Sequence, residues 1–181
     1  MDEIRLGVER HTFTILAKCP RTGALGIAIA TYSLGVGGYC PAINPQAGVL
    51  ASQAFADPRL RPIGMQILES GSSAAQALKG MQDADSYADY RQIGIVDAQG
   101  DVAAYTGPKA RDWAGHETGV GYVAMGNVMV GPQVVDAMAS TGGLSARLSV
   151  GNHLSNASMP ANKRIFPGTA GHCGKRTNLL R

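Results

Sequence analysis

The feature that most constrains this chain is a set of short runs that are apolar or β-branched at consecutive positions. They are Thr12–Ala17 (TFTILA), Ala24–Thr31 (ALGIAIAT), Gly48–Phe55 (GVLASQAF) and Arg91–Asp97 (RQIGIVD). Runs of this length, bounded by turn residues, read as strands. An antiparallel strand with one wet face alternates in polarity, and ALGIAIAT and GVLASQAF barely do. They should therefore be covered on both faces.

The connections are hairpin-like. Pro20-Arg21-Thr22-Gly23 is a turn between the first two runs, and Ala98-Gln99-Gly100-Asp101 one between Arg91–Asp97 and Val102–Thr106. Gly121–Val130 reads as mostly extended. Two helices follow one another after Phe55. Asp57 or Pro58 opens the first, with Leu60, Ile63, Ile67 and Leu68 on one face and Gly71 as its end. Ser73-Ala74-Ala75-Gln76 is a capping box for the second. Gly131–Ser140 reads as a third, with Pro132 in the first turn. The order is β β β α α β β β α. A consecutive helix pair argues against a doubly wound parallel sheet. Two stacked, largely antiparallel sheets with helices outside them satisfy the pattern: an α+β, four-layer αββα sandwich.

Composition narrows the class. Among 181 residues, 45% are apolar, 16% are charged and 24 are glycines without a fixed period, which excludes disordered and collagen-like chains. No stretch reaches the ~18 apolar residues of a membrane helix. Met1–Arg10 lacks the apolar run of a signal peptide. The expected setting is soluble and cytoplasmic. Residues 1–144 hold 10 Lys/Arg and 13 Asp/Glu, whereas residues 145–181 hold six Lys/Arg and no acid. That basic tail has no interleaved aromatics to stack bases, so nucleic-acid binding is the weakest functional class here.

Several patterns carry little chemistry. Cys19, Cys40 and Cys173 are odd in number and lack metal-like spacing. In a reducing compartment they are free thiols. Cys19 lies beside Lys18 and Arg21, as a reactive thiol would, but no base is visible near it. His11, His116, His153 and His172 show no zinc spacing. Asp97 and Asp112 have no fixed separation as a carboxylate pair. Gly119–Ala124 matches G-x-G-x-x-A, yet it follows a loop and precedes an extended stretch, so the strand–helix context of a dinucleotide site is missing. No cofactor and no metal are expected.

Other stretches point to a family. They are the TFTILA opening, Thr22–Gly26, Val49–Gln53, Tyr90-Arg91-Gln92 with Val96-Asp97, Tyr105-Thr106-Gly107, Asp112–His116 and Gly126–Gly131. In this order they resemble domain of unknown function 1028, from Thr12 to about Leu144. That family resembles N-terminal-nucleophile hydrolases in fold. The resemblance implies that Thr12, once N-terminal, would be the nucleophile and its α-amine the base. A free α-amine has a pKa of ~7.7–8, suited to that work. Asn127 is then the candidate oxyanion donor, Arg91 the grip on a substrate carboxylate, and His116 an orienting or proton-shuttling group. Plainer readings stand beside these. Thr12 suits any strand start, Asn127 any turn beside glycines, and His116 any loop, while Arg91 could pair with Asp89 or Asp101.

The chain departs from the pattern twice. Residues 1–11 precede Thr12, so the sequence as given reads as an inactive precursor or a translation begun too early. Residues 145–181 do not resemble the family's continuation and are expected to be a weakly ordered, divergent tail. Missing strands would expose a sheet edge, which pairing into a homo-oligomer would cover. The expected organisation is an extension at 1–11, a domain at 12–144 and a tail at 145–181. The leading expectation is a hydrolase of a small-molecule amide, and its rival a non-catalytic scaffold for a small ligand or partner subunit.

Overall fold

The computed structural model describes residues 11–111 and 113–148, with 142–148 described by backbone alone. The basic tail beyond Leu148 and Asp112 lie outside the described residues, so the expectations placed there are not addressed. The described residues belong to one compact unit.

Strands β1 (Thr12–Lys18) and β2 (Leu25–Thr31) form the first hairpin. Its turn is closed by Cys19 and Ala24, with Gly23 at φ 72°, a conformation open to glycine. Strand β3 (Pro41–Asn44) precedes β4 (Gly48–Ala54). Helices α1 (Leu60–Glu69) and α2 (Ala74–Asp83) come next. Strands β5 (Arg91–Asp97), β6 (Val102–Thr106), β7 (Gly115–Gly119) and β8 (Tyr122–Asn127) lead into α3 (Gln133–Leu148). One sheet has the order β2-β1-β8-β7 and the other β3-β4-β5-β6. Every pairing is antiparallel. The protein is therefore of the α+β class, with two antiparallel four-stranded sheets and three helices.

Side-chain parity explains the layering. On β4 and β5, Leu50, Ile93 and Ile95 pack against Leu60, Leu68, Ala77 and Met81 of the helix pair. The alternate residues Val49, Ala51 and Val96 pack against Leu16, Val123 and Met125 of the other sheet. Central strands covered on both faces must be apolar at consecutive positions, which β4 and β5 are. Each fully buried Leu or Ile here contributes roughly 1.5–3 kcal/mol. Gly94 makes the close approach of the sheets possible. A Cβ there would lie 3.0 Å from Leu16 Cδ1 and 3.1 Å from both Met125 Sδ and Val123 Cγ1. On the outer side of the first sheet, Val135 of α3 is buried beside Gly126.

The capping box forms as the sequence predicts: Ser73 and Gln76 satisfy each other's main-chain N–H groups. Asp97 adds to it. One carboxylate oxygen accepts from the N–H of Ala74, and the other from Gln99, Gly100 and Asp101. This carboxylate ties the β5–β6 turn to the start of α2, a turn role rather than half of a carboxylate pair.

Three expectations change. Strand β2 is not covered on both faces: Gly26, Ala28 and Ala30 point outward on an edge strand, and their small size hid the alternation. Gly121–Val130 is mostly extended, as read, since Tyr122–Asn127 is β8, while Gly121, at φ 72°, lies in the tight Gly119–Tyr122 turn of the β7–β8 hairpin. The G-x-G-x-x-A match is thus a hairpin with no helix after it. Strands β3 and β7 are additional. Helix α3 starts at Gln133 and runs to Leu148 through Gly142-Gly143, not from Gly131 to Ser140.

Candidate functional site

The layer between the sheets is apolar at one end and polar at the other. Strand parity turns Thr12 and Thr14 of β1, Gln53 of β4, Gln92 of β5 and Asn127 of β8 into the polar end. All five are buried. Thr14, Gln53, Gln92 and Asn127 form a connected network. Thr14 donates to Gln53 Oε1 at 2.5 Å, and Gln53 Nε2 donates to Gln92 Oε1 at 2.8 Å. Asn127 Nδ2 donates to the same Gln92 oxygen at 3.1 Å. Gln92 Nε2 reaches the carbonyls of Gly115 (3.0 Å) and Gly126 (2.9 Å) and the hydroxyl of Thr106 (2.9 Å).

The direction of these bonds is fixed by chemistry. Main-chain carbonyls only accept, so Gln92 must present its nitrogen to Gly115 and Gly126. Its oxygen then faces Gln53 and Asn127, and both must donate. Asn127 is left with Oδ1, a buried acceptor with no hydrogen-bond partner. Such a group in a native fold calls for an explanation, a bound ligand among them.

Two strained residues bracket the network. Ala54, directly after Gln53, has φ 67°, and Val128, directly after Asn127, has φ 56°. A β-branched residue there is a genuine outlier, and such strain clusters at functional sites.

Thr12 is 7% exposed and sits opposite both Thr31 and Asn127 in the register of its sheet. Its Oγ1 lies 2.9 Å from Thr31 Oγ1. Its nitrogen is the peptide amide joined to His11. The His11 ring donates from Nδ1 to the carbonyl of Val128 and meets the Tyr32 ring edge-on at 5.8 Å.

Of the other candidates, His116 is brought to the network and Arg91 is not. His116 Nδ1 lies 2.8 Å from Thr106 Oγ1. Thr106 already accepts from Gln92, so its own proton is available to His116. The residue is exposed, but crowding of its ring lowers its pKa below 6.5, with Glu117 opposing. Arg91 is adjacent to Gln92, and strand alternation sends it to the helix side of the sheet. There Nε donates to Asp85 at 2.7 Å, and NH1 donates to the Phe55 carbonyl. Asp57 Oδ2 is 3.8 Å from NH2. Asp57 itself is held below the ordinary carboxylate range, first by the Arg59 hydrogen bond. Arg91 is thus a buried structural cation whose partners are Asp85 and Asp57, rather than Asp89 or Asp101.

Cys40 is buried, and burial pushes its thiol up to about 12 against the opposing charge of Arg61. Among the described residues, no three His, Cys, Asp or Glu side chains converge as metal ligands. Nor is any described helix long and apolar enough to cross a membrane.

Residues 12–159 match the model of a family of unknown function, DUF1028. The chain belongs to that family. The match starts at Thr12 and extends past residue 144. A crystal structure of a protein from Silicibacter pomeroyi, assigned to the same family, is 34% identical with a TM-score of 0.68. The likeness covers 77% of this chain and 69% of that one. No curated protein matches the sequence.

Proposed function

We propose that this protein is an N-terminal-nucleophile hydrolase of a small-molecule amide, built as an αββα sandwich and activated by cleavage between His11 and Thr12. The observation that carries the reading is the pairing of Thr12 with Asn127 at the buried polar end of the inter-sheet layer, between two strained residues. A freed Thr12 amine takes the proton of its own hydroxyl as Oγ1 attacks the amide carbonyl. The C–N bond breaks, and the leaving amine carries that proton away. Water then hydrolyses the Thr12 ester and restores the hydroxyl and the amine. Two tasks differ from the sequence-based expectation. Arg91 has no part in binding substrate. Asn127 has one N–H committed to Gln92, so only its second N–H can face an oxyanion.

The scaffold reading has its own support: in the intact chain the Thr12 nitrogen is an amide, and the residue is nearly enclosed. Intact mass and N-terminal sequencing, paired with assays on a panel of small amides, separate the two. The hydrolase reading expects a Thr12 N-terminus in active protein and loss of turnover in Thr12→Ala. Turnover by protein that retains residues 1–11, or equal rates for Thr12→Ala, overturns it.

A further inference from the structure

The polar end of the inter-sheet layer has an unbalanced hydrogen-bond inventory. The bond directions set by Gly115 and Gly126 leave Asn127 Oδ1 as a buried acceptor without a donor. The next residue, Val128, offers a second acceptor, its carbonyl. That carbonyl is re-aimed by the φ of 56° and steadied from behind, since the Val128 N–H donates to the Arg111 carbonyl at 3.3 Å. Opposite these residues across the sheet stand Thr12 and, just before it, His11. The His11 ring already fills one place here: a flat ring whose N–H meets the Val128 carbonyl and whose edge meets the Tyr32 ring at an interplanar angle of 64°. A carbonyl cannot donate, so the His11 nitrogen in that bond must carry the proton.

We infer that the place held by the His11 ring is a ligand subsite for a planar group that donates N–H, and that the substrate carries such a group next to the bond that is cut. The subsite supplies the Val128 carbonyl as an acceptor and the edge of the Tyr32 ring. It therefore selects imidazole-like rings over carboxylates. The link to a substrate rests on the hydrolase reading; the subsite does not.

The test uses the full-length chain with His11→Gly, which empties the place without removing any residue of the network. The probe is imidazole, followed through backbone amide shifts of Tyr32, Asn127 and Val128. One hydrogen bond and one ring contact predict about tenfold tighter imidazole binding to His11→Gly than to the unmutated protein. At a pH where 1-methylimidazole is unprotonated, it has no N–H and should leave these amides unmoved. Equal binding of the two probes, equal binding to mutant and unmutated protein, or no shifts at these residues each overturns the subsite. His11→Ala repeats the measurement, with unshifted β5 amides reporting an intact fold. Binding is read without turnover. A protein that binds imidazole but cleaves no amide therefore sinks the hydrolase reading alone, and one that cleaves amides but ignores imidazole sinks the subsite alone.

Discussion

The two ends of the inter-sheet layer are made by the same strands, on the same faces, at the same spacing. At one end Leu16, Val49, Val96 and Val123 meet through contacts that have no direction. At the other, Thr14, Gln53, Gln92 and Asn127 meet through hydrogen bonds that have donors, acceptors and therefore a sense. A sandwich that needed only stability could continue the apolar pattern, because a bonded polar group contributes about 0.5–1.5 kcal/mol whereas a buried Leu or Ile contributes roughly 1.5–3 kcal/mol. Here the polar end also holds a bare acceptor and lies next to two strained residues. The contrast separates contacts that close the sheets together without direction from contacts that also fix how the sheets are aligned.

The largest expected effect is at the hub. Gln92→Leu keeps the volume but strands the Gln53 and Asn127 amides and the carbonyls of Gly115 and Gly126, costing about 3–5 kcal/mol. Urea unfolding compares it with Leu16→Ala at the apolar end, for which about 2–5 kcal/mol is expected from cavity formation. A loss below about 1 kcal/mol for Gln92→Leu would dissolve the distinction between the ends, since each stranded group alone costs about that much. Gly94→Ala sharpens it from the apolar side. The added methyl meets three side chains at 3.0–3.1 Å, and overpacking should cost about 1–3 kcal/mol in the same assay. Val128→Gly should act in the opposite direction. Releasing the left-handed strain should raise stability by about 1 kcal/mol while loosening the His11 ring, seen as a lost ring contact by NMR. The smallest effect concerns His116. Its folded pKa is depressed, so the unfolded state binds more protons in the window just below pH 6.5. Stability should be full above that window and fall as pH drops through the folded value. His116→Gln should flatten this slope.

Much of the fold was legible because the strongest signals were physical requirements. Gly48–Ala54 had to be covered twice, and Ser73 with Gln76 had to cap a helix. What escaped was set by partners. Strand β7, Gly-His-Glu-Thr-Gly, has no apolar alternation and is a strand because the Gly119–Tyr122 turn folds it onto β8. Strand β3 opens with a proline, tolerated at the edge of its sheet. Of the candidate residues that the family resemblance implied, the structure brings Thr12, Asn127 and His116 to the polar end or beside it, but Arg91 could not be told from Gln92. Both lie on a strand buried on both faces, so hydrophobicity carries no parity there. The signal that could have found the hub was two glutamines, Gln53 and Gln92, inside otherwise apolar strands. A side chain of that kind in such a place needs bonded partners, and Gln53 and Gln92 partner each other.

Gln92 holds main-chain atoms of the facing sheet, not merely side chains. Greasy surfaces slip past one another readily; a nail through both boards does not. Any rocking of one sheet over the other must therefore pivot close to Gln92 and the main chain of Gly115 and Gly126 that it holds.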